Sequence, residues 1–398
     1  MNANTRFTTA LLSSSDLTIE HRKRVKNSMT HQFSIAKFAP HERIPEIHLE
    51  TEWSASDLRT ATGALLYLLS DSHSSLSFAG ATLDQLQKQV SLLARAAFGE
   101  GDSAALLEAH RILFTIYELS FGNPLSRAVA HEHCSWLVGI REVLETAYLA
   151  SELPRVQIDL PKLGSTPDAI CEWFEAHARK QSLLDRKVVK FLEQEATLEQ
   201  FVIFILSDGY LNYRFYDALV LSLLHYSETV KSEIIRHMWD ECGCGNSLRS
   251  HTRQFSSSLD RLGLTLPSPP FWDDWRPYAG YNLYFLFGLN RQHYFKAIGS
   301  LAMPELFDPD RDRSVVEGLR RLGFEPATDF EYYQSHIEGD EAHGPSWLNH
   351  VIRPIVQVQP YAAHDLAIGG ALRMIAMSRY NEYLALRFDI VEESDVSA

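Results

Sequence analysis

From residue 61 onward, apolar positions recur every three or four residues, the spacing that lines one face of an α-helix. ATGALLYLLSD (61–71), ATLDQLQKQVSLLARAAF (81–98) and DSAALLEAHRILFTIYEL (102–119) each carry such a stripe between Gly, Ser and Asp breaks. A further helix is expected from about Leu125 to Glu152. LPRVQIDLPKLGSTPD (153–168) has three prolines, a glycine and no stripe, and reads as a connection. It divides an N-terminal helical region (1–160), a cover or dimerisation element, from a second helical domain (161–391) and a tail (392–398). In the second domain the pattern predicts helices near 168–195, 197–225, 228–241, 246–262, 277–302, 312–322, 327–350 and 360–384. The prolines of TLPSPPFWDDWRP (265–277) predict a loop. Strand-like alternation is scarce, so the expected fold is all-α.

Composition adds bounds. With 45% hydrophobic and 22% charged residues the chain reads as an ordinary globular protein. A net charge of −14 without a basic block argues against general nucleic-acid binding. The apolar run FVIFIL (201–206) falls far short of the roughly 20 residues that span a bilayer. No secretory signal is apparent at the start, and four cysteines (Cys134, Cys171, Cys242, Cys244) suit a reducing compartment. A cytoplasmic location without membrane or nucleic-acid partner is expected.

One polar stretch breaks the pattern. In HIEGDEAHG (336–344), His336, Asp340 and His343 fall within about 60° of arc on a helix face, while Glu338 and Glu341 point away. Imidazole and carboxylate together suit Fe, Mn or Zn, although such a stripe is also compatible with a partly solvated surface. MWDECGCGNSLRSH (238–251) adds Glu241 and His251. In a continuous helix these would lie about 80° apart; the intervening glycines let the helix break and aim both at one centre. Cys242 and Cys244 are spaced C-x-C with no second pair, so packing is expected rather than a zinc site. Glu305 ends a long apolar helix, where an acid is either exposed or used. Three carboxylates and three imidazoles from a helical bundle are the ligand inventory of a dinuclear carboxylate-bridged metal site. Aromatics around Asp217 (Tyr210, Tyr213, Phe215, Tyr216) suit a substrate cavity or core packing. The arginines of DPDRDRSVVEGLRRLG (308–323) offer a grip on a substrate carboxylate, with nothing to select one.

The ordered set E-x9-H, E, H-x3-D-x2-H resembles that of the haem-oxygenase-like diiron oxidases, the iron-containing redox enzymes, over roughly residues 168–391. The resemblance implies a seven-helix haem-oxygenase-like bundle, here with an additional N-terminal helical region. It implies two Fe(II) ions, or a Mn/Fe pair, and O2 as co-substrate. Expected reactions are N-oxygenation, hydroxylation, desaturation or oxidative C–C cleavage of a small amino-acid-derived or fatty-acid-like substrate in natural-product biosynthesis. Carried onto this chain, Glu241 would bridge or bind both irons; His251 and His343 would serve one iron; Glu305, His336 and Asp340 would serve the other. Asp217 is the weak candidate for a seventh ligand. A homodimer and an electron donor are the expected partners. The rival readings are a Zn or Mn hydrolase on the same ligands and a non-catalytic helical scaffold.

Overall fold

A computed structural model describes residues 60–70, 76–156, 160–162, 164–224, 227–267 and 270–390, without the side chains of 76–82, 183, 184, 338 and 340. Among the described residues every regular element is a helix, as the periodicity predicts. None is long and apolar enough to cross a membrane.

The first four α-helices among the described residues are α1 (Ala61–Leu69), α2 (Leu76–Ala94), α3 (Ser103–Phe121) and α4 (Ser135–Glu152). Asp102 caps α3 by accepting from the Ala105 amide at 2.8 Å. Buried α3 side chains, among them Ile112, Leu113 and Tyr117, lie in one apolar cluster with Tyr281–Phe287 and the last helix of the chain. Helices on both sides of the expected boundary at residue 160 thus share a core.

After the connection come α5 (Pro167–Gln194), α6 (Leu198–Asn212), α7 (Phe215–Ser222), α8 (Glu228–Glu241) and α9 (His251–Leu262). Then follow α10 (Trp275–Leu289), α11 (Tyr294–Ala302), α12 (Asp308–Arg321), α13 (Pro326–Asp329), α14 (Glu331–Ser346), α15 (Arg353–Val358) and α16 (Ala362–Arg387). Several expected helices are divided in the structure, the 327–350 helix at Phe330 among them, and two of the breaks are made by polar side chains. The 197–225 helix breaks at Tyr213–Arg214, where Arg214 turns inward to a buried ion pair with Glu118 of α3 at 2.9 Å. The 277–302 helix stops at Asn290, whose amide donates to the Leu286 carbonyl (2.7 Å) and to Glu145 of α4 (3.0 Å). In both cases a polar side chain takes up long-range partners that periodicity cannot register.

Helix α16 is buried along most of its length and packs on α5, α10 and α11. α14 lies against α12 and α9. Pro345 inside α14 lacks the N–H that a regular helix needs, and a widened π turn follows at Trp347–Ile352. These elements surround a cavity of about 100 Å³.

Candidate metal centre

Local chemistry dictates the first half of the site. Helix α8 ends at Glu241 because Gly243, Cys244 and Gly245 all take left-handed backbone angles, with φ of 71°, 54° and 85°. At Gly243 a Cβ would lie 2.4 Å from the Asn246 carbonyl oxygen and 2.6 Å from the Ser250 nitrogen, so only glycine fits. The chain then re-enters a helix with Ser250 as N-cap and His251 in the first turn. This reversal brings His251 Nδ1 to 2.8 Å from Glu241 Oε2.

His336 enters from α14. Its Nδ1 lies 2.7 Å from the Tyr332 carbonyl, an acceptor only, so Nδ1 carries the proton and Nε2 is the lone-pair nitrogen. The rings of His251 and His336 are 4.2 Å apart. Donor atoms of Glu241, His251 and His336 all lie within 4.8 Å of one another.

The second group is Glu305, His343 and His237, with donor atoms likewise within 4.8 Å. All three are buried. Glu305 sits on the 3₁₀ turn Pro304–Leu306, and its carboxylate is 3.5 Å from His343 Nδ1. Close approach of that turn to α14 requires Gly344, where a Cβ would meet the Glu305 carbonyl oxygen at 2.8 Å. His343 Nε2 faces Asp240 Oδ2 at 3.1 Å.

His237 is the member that sequence reasoning missed. The signal was present: His237 and Glu241 are four residues apart and share a face of α8. Its bonding sets it apart from the other five. The indole of Trp347 donates to His237 Nδ1 at 3.1 Å, which puts the ring proton on Nε2, 3.2 Å from Glu233. Burial first, then the nearby His343 and Arg236 charges, lower the His237 pKa to about 3, so the ring is neutral. Its lone pair already accepts from Trp347. A metal would have to displace that bond, and the ring serves better as a support stacked 4.0 Å from His343.

Five of the six expected ligands therefore converge, in a grouping that differs from the expectation. His251 stands with His336 rather than with His343, and Glu305 stands with His343. The side chain of Asp340 lies outside the described residues. Asp217 joins neither group: it pairs with Arg214 at 3.4 Å. Cys242 and Cys244 are free and exposed. For Glu241, burial pushes the carboxyl pKa up, but the imidazoles of His251, His336 and His343 outweigh it and hold the acid below its ordinary range. Glu241 is thus the carboxylate that feels histidines of both groups.

The donor set fits iron. Each group combines a carboxylate with imidazole, the mixture that borderline divalent metals prefer; the Glu305 group is buried throughout, and in the Glu241 group the acid is buried and the two imidazoles half-buried. Residues 208–378 match the family described as iron-containing redox enzyme, a segment that holds every member of both groups, and the resemblance drawn from the motifs is borne out. Over 141 residues the chain is also 27% identical to a nitrosourea synthase of Streptomyces achromogenes subsp. streptozoticus. That stretch is 35% of this chain and spans 30% of the relative's length. The family match supports an oxidoreductase.

Proposed function

We propose that this chain is a non-haem diiron oxidoreductase that uses O2 to oxidise a small amino-acid-derived or fatty-acid-like molecule in natural-product biosynthesis. Glu241, His251 and His336 would hold one iron; Glu305, His343 and Asp340 would hold the other, with Glu241 able to reach both. A Mn/Fe pair would take the same ligands. Bound iron supplies the redox couple that lets O2 be reduced while an N–H or C–H bond is oxidised. The carrying observation is the convergence of two histidine–carboxylate groups beside one cavity, in the segment that matches an iron-containing redox family.

The chain's own residues prepare that chemistry. The Tyr332 carbonyl orients His336, the histidines keep Glu241 ionised, and Trp347 with Glu233 locks His237 beside His343. The surrounding cavity limits water and orients substrate. The relative's name speaks of making a nitrosourea, a nitrogen-oxidised product, which favours N-oxygenation over hydroxylation or C–C cleavage. An external electron donor and a homodimer belong to the same proposal, as does a cytoplasmic setting.

Anaerobic titration with Fe(II), followed by an O2 pulse and stopped-flow visible absorption, tests the reading. Two irons per chain and a transient absorption band are expected, and His336→Ala should reduce uptake to about one iron. A wild-type chain that takes up no iron would overturn the proposal.

A further inference from the structure

The structure selects an arginine where the sequence could not. On α12, Arg311 is paired with Asp208 at 2.6 Å and Arg313 with Asp310 at 2.6 Å and with Glu341. Arg320 pairs with Glu317 at 2.5 Å, and Arg321 donates to the carbonyls of Leu192, Glu193 and Ala196. The buried arginines elsewhere are similarly committed: Arg214 to Glu118 and Arg379 to Glu152, at 2.9 and 2.6 Å.

Arg373 is different. It is 6% exposed, projects from α16, and lines the same cavity as Glu241, Glu305 and His336. Among the described residues no carboxylate forms an ion pair with it, and its Nε has no hydrogen-bond partner. Its guanidinium carbon sits 4.6 Å from the centre of the Tyr284 ring, a contact that favours the cation without neutralising it. Gly280, which also lines the cavity, adjoins the guanidinium: a Cβ there would lie 3.7 Å from Arg373 Nη1, an ordinary contact distance.

A buried charge without a counter-ion costs several kcal/mol, and a fold retains one where a ligand supplies the opposite charge. Among the described residues none of the cavity's own acids forms an ion pair with Arg373. Glu241 and Glu305 belong to the donor groups, Asp208 pairs with Arg311, and Asp308 and Asp312 also bear on Arg311. Guanidinium N–H groups match the two oxygens of a carboxylate.

We propose that Arg373 anchors a substrate carboxylate in this cavity, so that the molecule presented to the Glu241, Glu305 and His336 wall is a small carboxylic acid. This deepens the diiron reading and rests on it for the identity of the site. The cavity volume of about 100 Å³ favours a short acid.

Calorimetric titration of the full chain with pentanoate and L-norvaline, each against its primary amide, tests the proposal. The titrations are run on metal-free protein and on protein loaded with Fe(II) under anaerobic conditions. Wild type should prefer at least one acid over its amide by tenfold or more in both forms. Arg373→Gln should erase that preference and Arg373→Lys should keep part of it, with iron stoichiometry unchanged in each. Arg373→Lys also covers the case in which Arg373→Gln does not fold: it keeps the charge but removes the two-pronged contact, and should weaken acid binding several-fold. A preference that survives in Arg373→Gln, that appears only with iron bound, or that is absent from wild type overturns the anchor. Iron uptake is read separately, so a chain that prefers acids yet binds no iron would sink the diiron reading and spare Arg373.

Discussion

Gly243 concentrates several demands on one residue: a left-handed φ of 71° and the absence of a side chain where three backbone atoms would meet it. Gly243→Ala should therefore destabilise the fold by about 2 kcal/mol or more, from backbone strain plus the displaced Asn246–Ser250 turn. Because the same turn carries His251 to Glu241, Fe(II) uptake should fall from two ions to about one. Thermal unfolding and metal analysis of the purified variant check both effects, and full iron uptake would mean the turn does not position the ligand. The role of this glycine was partly legible, since two glycines between an acid and a histidine announce a break. Which neighbours make glycine obligatory was not, because those contacts arise only when the turn closes.

Helices that look separable along the chain are tied together by buried polar side chains. Glu118 on α3 accepts from Nε and Nη2 of Arg214 and from the Tyr281 hydroxyl, and Tyr281 of α10 lines the cavity. Burial favours neutral Arg214, but Glu118 outweighs it and raises the arginine's pKa. Glu118→Ala leaves Arg214 with only the longer contact to Asp217 and should cost about 3 kcal/mol, the penalty of breaking rather than replacing a buried pair. Chemical denaturation measures it. A change under 1 kcal/mol would show that Asp217 or solvent takes over the charge. Neither Glu118 nor Arg214 stood out in the sequence, since each lies within an ordinary amphipathic stripe and their partnership spans 96 positions.

Across the whole molecule, the junction between α3 and α10 carries an acid-sensitive group. His110 is fully buried among Phe98, Tyr148 and Trp275, with its ring nitrogen and carbonyl both beside Asn282. Burial above all, then the Arg379 charge, lowers its pKa to about 3. The sign follows: the unfolded chain binds a proton near pH 6.5 and the folded chain does not, so stability is lost as pH falls below about 6.5. At about 1.4 kcal/mol per pKa unit the loss reaches roughly 2 kcal/mol by pH 5. His110→Phe should remove that share of the acid sensitivity, seen as a smaller drop in melting temperature between pH 7 and pH 5 than in wild type. An equal drop would assign the acid sensitivity to other groups.

The sequence by itself determined the helical class, the ends of several helices and the stretches that carry the donors. Those features depend on 3.6-residue periodicity, caps and glycine breaks, all of which act within a few neighbours. It also brought Glu241, His251, Glu305, His336 and His343 to notice, because imidazole and carboxylate in apolar surroundings need a purpose. Only the tertiary structure decided how they group, that His237 stands beside His343 with its lone pair engaged by Trp347, and that Arg373 lines the cavity without a paired acid. Each of these depends on which helices meet and on which charges have already found partners. That is a balance of burial and long-range pairing, and no local stretch of the chain contains it.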